Sequence, residues 1–62
     1  LDFYRMLARR APDWLNPGGC LLVEIGDGRL ADGQTVWDHE GWNTEGVIPD
    51  LDGRPRVWVL TR

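Results

Sequence analysis

Leu15-Asn16-Pro17-Gly18-Gly19-Cys20-Leu21-Leu22-Val23-Glu24-Ile25-Gly26 is the stretch that decides the fold. Asn16 to Gly19 is turn chemistry and ends whatever precedes it. Cys20 to Gly26 is short, apolar and bounded by glycine on both sides, the signature of a strand buried on both faces, as in a parallel sheet. Glu24 is the anomaly, since a carboxylate near the end of a buried strand lies either at the surface or at a site. Cys20 has no basic neighbour in sequence and reads as a packed thiol rather than a nucleophile.

Upstream, residues 2 to about 15 read as a helix. Phe3, Leu7, Ala11 and Trp14 recur at spacings of four, four and three, which sets them on one face, widened by Met6 and Leu15. Asp2 suits the positive N-terminal end of the helix dipole. Pro12 lacks an N–H and clashes with the preceding turn, so a break or a second short turn is expected at Ala11–Pro12. Downstream, 27–32 reads as loop, 34–40 as a short helix ending at Gly41, and 42–48 as a strand. Pro49-Asp50-Leu51-Asp52-Gly53 is a turn, and the β-branched and aromatic run from Arg56 to Arg62 is the last strand. Helix, strand, short helix, strand, turn, strand makes an α/β arrangement with an antiparallel edge. Residues 1–62 form one piece, without repeats or an internal linker.

Composition narrows the classes. At 62 residues, a chain buries only about 60% of its unfolded surface and is marginal alone. Disulfides or a metal usually compensate, yet the chain has one cysteine and one histidine, His39. A single cysteine suits a reducing cytoplasm. The longest apolar run, Cys20–Val23, is far too short to span a bilayer. Net charge is −3, and the seven arginines, with no lysine, form no basic stripe. Direct nucleic-acid binding is not expected. The chain opens on Leu1, already inside a helical pattern, which reads as a cut within a longer sequence.

Four motifs carry possible chemistry. Gly26-Asp27-Gly28-Arg29-Leu30-Ala31 formally matches the GxGxxA variant of the dinucleotide loop, but Asp32-Gly33 is expected to interrupt the helix that must open there. Asp27, Asp32, Asp38 and Glu40 miss the calcium-loop spacing and read as a solvated acidic segment. Asp38-His39-Glu40 are adjacent, and adjacent residues of a helix diverge; His39 reads as a surface histidine. Trp14, Trp37, Trp42 and Trp58 are spread over separate elements and are expected to pack a core, some of them left exposed.

Leu15 to Glu24 resembles the "L-K-P-G-G, then hydrophobic strand" run of the Rossmann-like S-adenosylmethionine-dependent methyltransferases. Leu1-Asp2-Phe3-Tyr4-Arg5 resembles the "G-L-x-x-Y-R" helix start of the release-factor glutamine methyltransferases, the HemK/PrmC-type family. Glu24-Ile25-Gly26 resembles that family's "E-I-G", and Asp50 to Val57 its "D-L-x-G-R-x-R-V" turn into the last strand. Order and spacing agree across nearly the whole chain. One departure is Gln34, which lies eight residues after Gly26 where the family often has glutamine about two residues on.

The resemblance implies a C-terminal part of a class I methyltransferase sheet. It would supply strands five (about 20 to 26), six (about 43 to 48) and seven (about 55 to 62), ordered five, seven, six with strand seven antiparallel, plus two helices. It implies a parent enzyme that transfers a methyl group from S-adenosylmethionine to a glutamine of peptide-chain release factors. The family's Gly-rich cofactor loop and Asn-Pro-Pro-Tyr motif do not occur here. This chain alone is therefore expected to bind no cofactor and to carry no catalytic residue, with Glu24 the candidate for lining the substrate pocket. Expected partners are the missing N-terminal part or a second copy, through strand five. Two alternatives stand beside this: a free-standing interaction module, and a small binding enzyme with an unrecognised site on the Gly26–Gly33 loop.

Overall fold

The computed structural model describes residues 2–62; Leu1, and with it the first residue of the helix-start motif, lies outside them. Helix α1 (Asp2–Arg10) leads through a single 3₁₀ turn (Ala11–Asp13) to strand β1 (Leu21–Glu24). Helix α2 (Leu30–His39) and strands β2 (Asn43–Pro49) and β3 (Pro55–Thr61) follow. The sheet order is β1-β3-β2, with β3 antiparallel to both neighbours. The last strand thus lies between the other two, as expected.

Helix α1 starts on Asp2 and ends on Arg9 and Arg10, charges that complement its dipole. Pro12 falls in the first turn of the 3₁₀ segment, where the Trp14 N–H reaches Ala11 O at 2.9 Å. The break expected at Ala11–Pro12 is therefore present. The inward face differs from expectation. Tyr4, Ala8 and Ala11 are buried, Leu7 packs at the margin, and Phe3 and Trp14 are 60% and 61% exposed. Tyr4 takes the inner position because its ring is held by Trp37 and Trp58, at centroid distances of 5.6 and 5.2 Å. Ala8 is small enough to admit the Trp42 indole, whose N–H donates to Ala8 O at 2.9 Å.

Strand β1 also departs from the reading of a strand buried on both faces. Val23 is buried beneath the helices, whereas Leu22 is 59% exposed. Across the ladder Leu22 faces Val59 and Glu24 faces Val57, and Ile48 meets Val57 from β2. Leu22, Val57, Val59 and Ile48 thus make an apolar sheet face that no described element covers. The apolar composition of β1 suits two covering layers; here there is one. Cys20 is exposed, contrary to the packed thiol expected, because the strand begins one residue later.

Helix α2 starts at Leu30 and runs through Asp32-Gly33, where an interruption was expected. The reason lies across the core. A Cβ on Gly33 would sit 2.7 Å from Trp58 Cζ2 and 3.1 Å from Tyr4 Cε2. Glycine is there so that the Trp58 ring can lie against the helix, not to end it. Trp37, Trp58 and Leu60 are fully buried, with Trp42 beside them. Trp14 is the exposed tryptophan, so the four divide as expected. The indole N–H groups of Trp37 and Trp58 have no oxygen partner. The two rings instead meet edge to face at 5.6 Å.

The β2–β3 turn is built by Asp50. Its carboxylate accepts from the Asp52 and Arg54 amides, both at 2.9 Å, and Gly53 takes φ +80°.

Candidate functional site

The carboxyl end of β1 is where the chemistry-bearing residues gather. In open α/β sheets ligands bind beyond this end of the strands. Glu24 closes β1 with its carboxylate outward, and Arg56, at the start of β3, brings a guanidinium nitrogen to 3.5 Å from it. Both side chains are largely exposed, at 70% and 51%. The register makes the two residues diagonal neighbours: Glu24 lies opposite Val57, and the Ile25 N–H donates to Arg56 O at 2.7 Å. The Arg56 backbone is therefore fixed while its side chain is free at the tip.

Tyr4 braces the loop beyond. The Gly26 N–H donates to the Tyr4 hydroxyl oxygen at 2.9 Å, and that hydroxyl approaches Glu24 O at 3.5 Å. Gly28 takes φ +71°, turning the chain toward α2. A groove follows, lined by Ile25, Gly26, Asp27, Leu30, Pro55 and Arg56 among others.

The first glycine of this loop is closed from within. The Gly26 amide is already engaged by Tyr4, and a Cβ there would meet Arg29 Cγ at 3.3 Å and the Tyr4 hydroxyl at 3.4 Å, whereas a Cβ on Gly28 would meet nothing within 4 Å. No polar or charged side chain is buried among the described residues. The formal GxGxxA match is thus a turn held from within.

The other candidates scatter. Asp38 pairs with Gln34 at 2.9 Å, Glu40 with Arg9 at 3.3 Å, and His39 is exposed. His39 and Glu40 line a groove between α1 and α2 together with Arg5, Arg9 and Asp32, where Arg5 is paired with Asp2 and Arg9 with Glu40. No group of three or more potential metal ligands forms among the described residues. No helix of the described residues is long and apolar enough to cross a membrane. Sequence reasoning singled out Glu24 but missed Tyr4 and Arg56. Both stand inside quoted motifs, yet their roles depend on cross-strand register and helix rotation, which no spacing reveals.

Over 59 residues, 92% of its length, the chain is 49% identical to the release factor glutamine methyltransferase of Cereibacter sphaeroides. Over 57 residues it is 59% identical to the one from Geobacter sulfurreducens. The chain matches release factor glutamine methyltransferases along nearly its whole length. It spans only 20% of the length of either relative. A bifunctional methyltransferase of Rickettsia felis is 33% identical over 61 residues, 12% of that protein. No family model matches the chain, and no solved structure matches it significantly. Glu24 at the end of β1 and Arg56 at the start of β3, with Tyr4 of α1 behind them, lie within the matched stretch.

Proposed function

We propose that this chain is the C-terminal part of a protein-(glutamine-N5) methyltransferase that acts on peptide-chain release factors. The observation that carries the reading is similarity over nine-tenths of the chain to proteins about five times as long. S-adenosylmethionine would supply the methyl group, and the residues holding it would lie elsewhere in the enzyme, since neither the family's Gly-rich cofactor loop nor its Asn-Pro-Pro-Tyr motif occurs in this sequence. In this reading β1, β2 and β3 are strands five, six and seven of the class I sheet. The uncovered apolar face and the free edge of β1 are where the rest of the enzyme would pack. In a solitary chain the same edge would take a second copy. The unbridged Cys20 suits the cytoplasm, where release factors work.

Glu24 stands in this reading at the substrate end of strand five, within reach of a peptide entering the active site. The reading is tested by incubating the whole enzyme that carries this segment with a release factor and S-adenosylmethionine. Tandem mass spectrometry is expected to find one methyl group on a glutamine side-chain amide. A release factor left unmodified would contradict the proposal.

A further inference from the structure

We propose that Glu24 and Arg56 together form a bipolar clamp for the main chain of the peptide substrate; this rests on the reading above, that the whole enzyme methylates a protein. A carboxylate is acceptor-only, and a guanidinium is donor-only with five N–H groups. Set 3.5 Å apart on one exposed rim, they present an acceptor beside a donor. An extended peptide offers the complement, an N–H and a C=O on the same edge. The Arg56 guanidinium makes one long contact here and keeps donors to spare.

Three features of the structure favour this over an incidental surface pair. The pair sits beyond the carboxyl end of a strand, where α/β sheets bind ligands. Its supports are rigid: Ile25 N–H to Arg56 O at 2.7 Å fixes one side, and Tyr4 to Gly26 at 2.9 Å fixes the other. Arg56, though not Glu24, also lines the groove that opens past Gly26 toward Leu30. As a stabilising device, by contrast, so exposed a pair contributes little. Its removal therefore reports on binding with little disturbance of the fold.

The experiment uses the whole enzyme, with a release factor as substrate, in four forms: wild type, Glu24→Gln, Arg56→Gln, and the charge swap Glu24→Arg with Arg56→Glu. Each single substitution is expected to raise KM for the release factor about tenfold, the size of one lost hydrogen bond to a charged group. The affinity for S-adenosylmethionine should stay unchanged and kcat should be largely retained. The swap is expected to remain impaired, because it reverses acceptor and donor relative to the peptide. KM values unchanged in both single variants would overturn the clamp, and so would a swap that restores wild-type KM, which marks a purely structural ion pair. A wild-type enzyme inactive on release factors would instead overturn the underlying reading, and the clamp with it.

Discussion

Gly33 and Tyr4 carry more of this structure than their neighbours in sequence suggest. In an isolated helix, Gly33→Ala would gain about 1 kcal/mol from propensity. Here the added methyl meets the Trp58 ring, and overpacking of a filled core costs about 1–3 kcal/mol. We expect the clash to win, so that the thermal midpoint falls; a raised midpoint would show that Trp58 moves aside freely. Tyr4→Phe keeps the ring and removes the oxygen that accepts from Gly26. The expected loss is about 1 kcal/mol, with faster hydrogen exchange at the Gly26 amide than in wild type. Exchange unchanged at that amide would mean the loop is held by something else. Neither role was legible in the sequence. Tyr4, Ala8 and Ala11 recur at four and three residues, as do Phe3, Leu7, Ala11 and Trp14 at four, four and three. Alanines carry little hydrophobic weight, so the bulkier set was read as the inner face. The aromatic partners that choose Tyr4 arrive from α2 and β3, remote in sequence.

Among the elements, β2 and β3 were legible almost to the residue, because β-branched and aromatic residues with an Asp-Gly turn between them leave few alternatives. Helix α2 was read too short, since glycine inside a helix looks like punctuation until the ring that requires it is seen. Strand β1 was located correctly but given two covered faces. Its composition asks for them, while the described residues supply one. The two sheet edges differ in consequence. Strand β2 carries a bulge between Thr44 and Gly46, the charge of Glu45, and Pro49 at its end, all devices that blunt an edge. Strand β1 has only Glu24 to do so, and Leu22 lies bare beside its open edge. A solitary chain should therefore associate through β1 at low micromolar concentration, as sedimentation would record. Leu22→Lys should shift it toward monomer. A monomeric wild type would contradict association through β1.

For the molecule as a whole, one core of Tyr4, Trp37, Trp42, Trp58 and Leu60 binds two helices to one face of three strands. The other face is left open among the described residues, and β1 is the less protected of the two sheet edges. That asymmetry goes with a span of one-fifth of the relatives' length. The family was legible because its turns, Asn16-Pro17-Gly18-Gly19 and Asp50-Leu51-Asp52-Gly53, are fixed by backbone chemistry at set positions. The clamp was not, because Glu24 and Arg56 lie 32 residues apart and meet only through the register of β1 on β3. Titration calorimetry with S-adenosylmethionine tests the central claim most directly, run in parallel on this chain and on the whole enzyme. The account predicts heat of binding for the whole enzyme and none for the chain. A dissociation constant for the chain tighter than about 100 μM, or roughly −5.5 kcal/mol, would contradict it.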